Sequence, residues 1–200
     1  NIVIKIGSSL LMNRNKFNST WLKSFIDDIL YLKSKRKNLV IVASGAVSLG
    51  RKYLNIKKEK ISINTKQACA ACGQVILMKN FMRHFEARKI KVAQILLTFS
   101  DTEDRRKSLN SRETIKTLLE LKIIPIINEN DSVATDELKF GDNDRLAARV
   151  AQVIGSDLLI LLSDVEGLYD KNPKKNKKAK LIEKVTNINS KIFKMSSSET

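Results

Sequence analysis

Five short runs of apolar residues recur along the chain, and each is rich in isoleucine, valine and leucine. Within each run the apolar side chains are consecutive rather than alternating with polar ones. This pattern is typical of parallel strands that helices cover on both faces. The runs that we predict to be strands are residues 1–6, 38–43, 91–98, 123–127 and 157–162.

Between these runs, the apolar residues follow helical spacing. Residues 18–37 form the first such segment, with Ser19 or Thr20 as its predicted N-cap. Further helices are predicted at 65–88, at 108–122 with Ser and Asn as cap candidates, and at 143–155 with its end at Gly155. Residues 132–144 are polar and short enough to predict a hairpin. The alternation of strands and helices predicts an α/β fold, with a mainly parallel sheet between two helical layers.

The charge of the chain is strongly positive, at +16. Such a charge can indicate a nucleic-acid or anionic-membrane partner, or only a surface rich in solvated lysines. We favour the second interpretation, because the densest run, at 171–180, is typical of one exposed loop and aromatic residues make up only 6% of the chain. No apolar run approaches the roughly 20 residues of a membrane span. We therefore expect neither a nucleic-acid nor a membrane partner.

The two cysteines, Cys69 and Cys72, form a C-x-x-C motif inside a predicted helix. This motif can be a redox pair or half of a zinc site. The chain has no second cysteine pair and a single histidine, His84, so we predict two small buried residues instead. Free buried thiols suit a reducing cytoplasm, which is where we expect the protein to work.

Small and polar residues stand at the ends of the predicted strands, where open parallel sheets bind ligands. Lys5 lies inside an apolar strand, so it must be paired or reach past the sheet edge. Together with backbone amides at Gly7 and Ser8, it suits a phosphate group. The common phosphate loops, G-x-x-x-x-G-K-[ST] and G-x-G-x-x-G, do not occur. Ser44 could be a nucleophile, but a hydrogen bond to the chain or to a ligand carboxylate fits it better.

Two clusters of asparagine and aspartate, "INEND" at 127–131 and "GDND" at 141–144, follow the fourth strand and precede the fourth predicted helix. A helix cap needs only one such residue. An asparagine can donate to a carboxylate and an aspartate can accept from an amine, so the clusters could hold both ends of a small amino acid. An aspartate placed there could also orient lysines through charge-assisted hydrogen bonds.

Seven segments in order resemble the amino acid kinase family, in its glutamate 5-kinase branch. They are VIKIGSSLL, LVIVASGAVSLGR, KQACAACGQ, DRRKSLNSRETI, IPIINENDSVAT, FGDNDRLAARVA and LLILLSDVEGLYDKNP. The resemblance extends from Ile2 to about Phe193. It implies an α/β/α sandwich and the ATP-dependent phosphorylation of the γ-carboxylate of L-glutamate to glutamyl 5-phosphate, the first step of proline synthesis. Mg²⁺ would be carried on the ATP phosphates, without a metal site made by the protein alone.

The resemblance also implies roles for individual residues, carried over position by position. Lys5 would stabilise the transferred phosphoryl group, and Asp144 would orient the catalytic lysines. The implied roles are catalysis by Lys5 and Asp144, glutamate binding by Ser44, Asp131 and Asn143, and ATP binding by Lys5, Gly7, Ser8, Ser163 and Asp164.

Members of this family continue past the matched segments with a glycine-rich loop and a second lysine, and many carry an RNA-modification-type domain. Neither is found in residues 1–200. We therefore expect one amino acid kinase domain that is incomplete at its C-terminus, inactive by itself, and homo-oligomeric like its relatives. A kinase for another carboxylate, for carbamate or for UMP is the alternative within the family.

Overall fold

The computed structural model describes residues 1–13, 16–58, 60–134 and 143–197. They fall into two compact units, Asn1–Leu162 and Ser163–Thr200, which are described separately. None of the helices in the described ranges is long and apolar enough to cross a membrane.

In the described part of the first unit, five strands form one sheet in the order β5-β6-β4-β1-β7, and every neighbouring pair is parallel. A short antiparallel pair, β2 and β3, stands apart from it. All five predicted strands are confirmed. The strands are β1 (Ile2–Ile6), β2 (Met12–Asn13), β3 (Lys16–Phe17), β4 (Leu39–Val42), β5 (Val92–Leu97), β6 (Ile124–Glu129) and β7 (Leu158–Leu162).

Helices connect the strands, and the longer ones follow the predicted segments. Four short helices were not predicted, three directly after β1, β4 and β5 and one in the second unit, because they are too short to show apolar periodicity. The helices are α1 (Ser8–Leu11), α2 (Ser19–Ser34), α3 (Ala46–Tyr53), α4 (Ile63–Glu86), α5 (Phe99–Glu103), α6 (Arg105–Glu120), α7 (Asp144–Val153) and, in the second unit, α8 (Ser190–Ser197).

The predicted N-caps of α2 and α6 are wrong. Asn18, not Ser19 or Thr20, caps α2, and its side chain accepts a hydrogen bond from the Trp21 amide at 3.2 Å. Helix α6 begins before the predicted serine and asparagine, because Asp104 accepts from the Lys107 amide at 2.8 Å. In both cases a suitable side chain stands earlier in the chain, and that earlier residue starts the helix.

Alternate residues of the strands face two different helical layers. Ile4 and Ile41 pack on one face with α2 and α4, while Val3 and Val40 pack on the other with α6 and α7. The strands are apolar at consecutive positions because both faces are buried. The three-layer α/β/α arrangement predicted from the sequence is thereby confirmed.

Two glycines allow α3 and α4 to pack backbone against backbone. A Cβ on Gly50 would lie 1.7 Å from the carbonyl oxygen of Cys69, and one on Gly73 would lie 1.8 Å from that of Ala46. Cys69 is buried at this crossing, Cys72 is partly buried, and both thiols are free. Burial raises the pKa of the Cys69 thiol. The prediction of two small buried residues is therefore confirmed for Cys69, whereas Cys72 is only partly buried.

The end of α7 and the turn after β6 also bear on the predictions. Gly155 has a φ of +60° just after α7, as expected of a glycine that ends a helix. The amides of Val133 and Ala134 both donate to the carbonyl of Asn130, which closes a turn. Residues 135–142 of the predicted hairpin, which include Asp142 of the "GDND" cluster, lie outside the described residues, whereas Asn143 and Asp144 belong to the start of α7.

The second unit consists mainly of turns before α8. An isolated antiparallel bridge joins Tyr169 and Leu181, and the Asp170 amide donates to the carbonyl of Lys180. The lysine-rich segment 171–180 lies between these contacts and is mostly exposed. It is the exposed loop that its composition predicted.

Candidate functional site

The carboxyl ends of β6, β4 and β1 are neighbours in the sheet, and α3 and α7 begin beside them. Side chains that are far apart in the sequence therefore meet at one edge. Polar residues with low exposure in this region include Lys5, Ser44, Asn128 and Glu129. Buried polar groups need partners, so the partners of these residues define the site.

Lys5 is 4% exposed and lies on the face of β1 that packs against α7. Its Nζ is 2.6 Å from Oδ1 of Asp144, the first residue of α7. The Asp144 side chain is 45% exposed, so the pair joins a buried ammonium to a carboxylate at the surface. This contact gives the apolar strand's lysine the partner that its burial demands.

Gly7 and Ser8 continue the chain from β1 into α1, with Gly7 as the N-cap. The Gly7 amide donates to the carbonyl of Leu162 at 3.0 Å. A Cβ on Gly7 would lie 3.2 Å from that carbonyl oxygen and 3.9 Å from the Lys5 Nζ. The glycine therefore keeps side-chain atoms away from the lysine ammonium.

Ser44 follows β4 and precedes Gly45, which has a φ of +104° and begins α3 without a side-chain cap. The serine is 6% exposed, and its Oγ has no hydrogen-bond partner among the described residues. His84 is instead bound through Nδ1 to the carbonyl of Asn80, at 2.8 Å. Because no described base contacts the Ser44 hydroxyl, the geometry favours a ligand-binding hydroxyl over a nucleophile.

Asn143 is the N-cap residue of α7, although its side chain makes no capping hydrogen bond. Its Nδ2 donates instead to the carbonyl of Ala43 at 2.6 Å and to Oδ1 of Asn128 at 2.7 Å. Asn128 in turn donates through Nδ2 to Oε1 of Gln74 on α4, at 2.5 Å. This amide chain, Gln74–Asn128–Asn143, crosses the ends of β6 and β4.

Asp131 lies partly buried in the turn after β6, next to the amide chain in sequence. Gln67 on α4 donates through Nε2 to the carbonyl of Ala134 at 3.3 Å, which joins this turn to the helix. Glu129 accepts from the Phe99 amide at 3.2 Å and so joins β6 to α5.

Ser163 and Asp164 belong to the second unit. The Asp164 carboxylate accepts from Nζ of Lys174 at 2.6 Å and from the Ser163 hydroxyl at 3.3 Å. These bonds, the one from Lys174 above all, hold the pKa of Asp164 below its usual range. The structure thus places Lys5, Gly7, Ser8, Ser44, Asp131, Asn143 and Asp144 in the first unit, and Ser163 and Asp164 in the second.

Gln74 was not selected from the sequence. It stands in the middle of a helix, and its partner Asn128 lies 54 residues away. Helical spacing places it near glycine and apolar residues and carries no signal of a polar contact. Asn128, by contrast, stands in the "INEND" cluster, so its place at a strand end was visible.

Comparison with known proteins gives consistent matches over nearly the whole chain. The model of the Amino acid kinase family matches residues 1–193. A protein named Glutamate 5-kinase from Pelagibacter ubique is 52% identical over 195 residues, which are 97% of this chain and 53% of the relative. Proteins of the same name from Caulobacter vibrioides and Bartonella henselae are each 49% identical over 97% of the chain and 52% of their own length. The chain thus spans about half the length of these curated relatives.

Proposed function

The chain belongs to the amino acid kinase family, and from this premise we propose that the protein phosphorylates the γ-carboxylate of L-glutamate with ATP. The products are glutamyl 5-phosphate and ADP, and the reaction opens proline synthesis. The observation that carries the choice of substrate is the identity of about half the residues with proteins named Glutamate 5-kinase. The geometry of the carboxyl edge supports the reaction type.

Phosphoryl transfer to a carboxylate requires positioning and charge neutralisation rather than a base. A γ-carboxylate is ionised at neutral pH, so its oxygen attacks the γ-phosphorus without losing a proton. A new P–O bond forms, the bond from the γ-phosphorus to the bridging oxygen breaks, and ADP leaves with the electron pair. This agrees with an edge that holds a lysine, amides and hydroxyls. The single histidine, His84, lies in the last turn of α4 and is bound to the carbonyl of Asn80.

Lys5 and Asp144 are the proposed catalytic pair. The Lys5 ammonium contacts the phosphate oxygens and stabilises the negative charge that spreads over them in the transition state. Asp144, 2.6 Å away, holds that ammonium in position. Ser8 contributes its backbone amide beside it, where α1 begins, and Gly7, whose own amide is bonded to Leu162, leaves space for the phosphate because it has no side chain.

Asn143, Asp131 and Ser44 are the proposed glutamate-binding residues. Both hydrogens of Asn143 Nδ2 are used within the protein, so this residue offers its Oδ1, an acceptor suited to the substrate ammonium. Asp131 attracts the same group. The Ser44 hydroxyl, which has no partner among the described residues, donates to a carboxylate near the start of α3. For Asn143 this assignment replaces the sequence-based expectation that an asparagine donates to the substrate carboxylate, since both Nδ2 hydrogens are used within the protein.

Ser163 and Asp164 are the proposed nucleotide-binding residues of the second unit. Mg²⁺ would be supplied with ATP and would neutralise part of the charge on its phosphates. In the described ranges no three histidine, cysteine or acidic side chains converge on one point. A magnesium ion on ATP does not need such a cage, because it keeps several waters and binds phosphate oxygens.

The proposal also covers the setting of the enzyme. Residues 1–200 are taken as part of one amino acid kinase domain that assembles as a homo-oligomer. Two free thiols fit the reducing cytoplasm, where ATP is also available.

A panel of acceptors tests the substrate. The full-length protein is assayed for ADP release with L-glutamate, N-acetylglutamate, aspartate, carbamate and UMP. We expect turnover with L-glutamate and a loss of about 10³-fold or more in Asp144→Asn, as for removal of a main electrostatic group. Turnover with another acceptor but none with glutamate contradicts the proposal. The folding of the variant is checked by its circular dichroism and unfolding midpoint.

A further inference from the structure

The orientation of the three amides in the chain Gln74–Asn128–Asn143 is determined at one end by the backbone. The carbonyl of Ala43 can only accept, so the group that contacts it at 2.6 Å must be the Nδ2 of Asn143. A flipped Asn143 amide would set two oxygens against each other. This contact favours one orientation of the Asn143 amide, and the second Nδ2 hydrogen keeps its partner only if Asn128 presents Oδ1 to it.

The orientation of the Asn143 amide also restricts the orientations of Asn128 and Gln74. Since Asn143 also donates to Asn128, the Asn128 amide must present Oδ1 on that side and Nδ2 on the other. Asn128 is 1% exposed, so its Nδ2 needs a partner within the protein, and Oε1 of Gln74 supplies it at 2.5 Å. The Gln74 Nε2 is then buried without a hydrogen-bond partner among the described residues. The contact between Gln74 and Asn128 therefore uses the oxygen of the glutamine and leaves its Nε2 group without a partner among the described residues.

We propose that Gln74 is a positioning residue that, through Asn128, keeps the Asn143 oxygen directed at the substrate ammonium. The inference rests on the proposed binding of L-glutamate. It assigns to a residue in the middle of α4 a part in substrate selection, although that residue need not touch the substrate. With the chain intact, Asn143 presents an acceptor, which favours an ammonium group and disfavours a carboxylate at the same place.

Substitution of Gln74 separates this role from simple packing. Gln74→Met keeps similar volume but offers Asn128 no acceptor, so the two asparagines lose their common orientation. Gln74→Glu keeps an acceptor oxygen in the same place, but it replaces the unpartnered donor by a second oxygen and adds a negative charge. The matched control is Gln94→Met, the same change at an exposed position on β5.

Steady-state kinetics of the full-length protein provide the first readout. We expect Gln74→Met to raise the KM for L-glutamate about 10-fold, with kcat and the KM for ATP within about twofold of wild type. Gln74→Glu should restore most of the affinity, and Gln94→Met should change nothing. Equal rises in both KM values, or an affinity in Gln74→Glu as low as in Gln74→Met, would show that Gln74 only supports the fold. Either result would overturn the inference.

The side-chain amide signals of Asn128 and Asn143 in NMR spectra provide a second readout that needs no turnover. In the wild type we expect slow hydrogen exchange at both groups, and in Gln74→Met faster exchange at both. Unchanged hydrogen exchange at Asn143 in Gln74→Met would contradict the proposed effect of Gln74 on Asn143 through Asn128, which is called the relay below. If the wild type shows the protected amides but binds no L-glutamate in calorimetry, the proposed function fails while the relay stands.

Discussion

The two edges of the sheet carry polar residues in opposite ways. At the amino edge, a cavity of about 460 Å³ between the starts of β4 and β6 is lined by Lys33, Arg36, Lys37 and Lys122. Most of these side chains are exposed, and Lys33 donates to the carbonyl of Lys122 at 3.5 Å. At the carboxyl edge Lys5 is almost fully buried and paired with Asp144.

The positions of the cations explain the difference. Lys33, Arg36 and Lys122 stand at the C-terminal ends of α2 and α6, where the helix dipole favours positive charge. Water screens exposed charges, so their number adds little binding strength. A buried lysine interacts strongly with the few groups that it meets. Burial and pairing, rather than the amount of charge, therefore distinguish the edge that carries the candidate site in this basic protein.

The largest effect is expected for Lys5→Met. Turnover should fall by about 10³-fold or more, because no other group at β1 replaces the ammonium at the phosphate. The free energy of unfolding should change by only about 1 kcal/mol, since an apolar side chain suits the buried position and the half-exposed Asp144 can be solvated. ADP-release assays and urea unfolding measure the two quantities.

Lys37→Met at the amino edge is the control for this substitution, and it should leave turnover unchanged. Wild-type turnover in Lys5→Met would remove the distinction between the two edges.

A smaller effect is expected for Ser44→Ala. The Kd for L-glutamate should rise about 10-fold, the usual consequence of one lost hydrogen bond to a charged group. Stability should stay the same or rise slightly, because the buried hydroxyl has no partner among the described residues. Calorimetry with L-glutamate measures the affinity, and Ser34→Ala, near the amino edge, is the control. An unchanged Kd together with a clear loss of stability would assign Ser44 to the fold instead.

Acid stability gives a third test, at the carboxyl end of the edge strand β5. Burial by itself raises the pKa of Asp101, but hydrogen bonds from Lys107 and from Thr98 outweigh it and hold the pKa below its usual range. The stability that this carboxylate contributes is therefore present above its unfolded pKa of about 3.9 and is lost as the pH falls through the folded value.

Asp101→Asn should reduce this loss of stability at low pH while keeping most of the capping box with Thr98. The free energy of unfolding at pH 7 should fall by less than about 1 kcal/mol. Unfolding is measured from pH 7 to pH 2, with Asp28→Asn, at an exposed position of α2, as a surface control. The same acid-induced loss in wild type and Asp101→Asn would contradict the prediction.

The smallest effect is expected at the amino edge. Arg36→Gln combined with Lys37→Gln removes two positive charges from the cavity that four cations line. Stability should change by less than about 0.5 kcal/mol, since both side chains are exposed. The KM values for glutamate and ATP should not change. A clear rise in either KM would show that the amino edge takes part in binding and would contradict the distinction between the two edges.

Much of the fold could be predicted because it depends on local patterns. The consecutive apolar residues of β1, β4 and β6 indicate strands buried on both faces, and α2 and α4 follow apolar spacing. The helix starts were less predictable. Asn18 and Asp104 became N-caps in place of later candidates, since several neighbouring residues could satisfy the same amides.

The candidate site was predictable only in part. Lys5 could be selected from the sequence because a charged residue inside an apolar strand is unusual. The "INEND" and "GDND" clusters could be selected because several asparagine and acidic residues stand together at the ends of predicted elements. Which of these residues meet could not be predicted. Lys5 and Asp144 are separated by almost the whole first unit, and Gln74 showed no local signal at all.

Apolar periodicity and the order of motifs along the chain were sufficient to predict the five strands, the longer helices and the family. The tertiary structure alone decided the pairing of Lys5 with Asp144, the orientation of the amide chain through Ala43, and the close crossing of α3 and α4. The physical reason is that a hydrogen bond or an ion pair depends on atoms within about 3 Å of each other. Such distances are set by how the sheet and helices pack, and not by position along the chain.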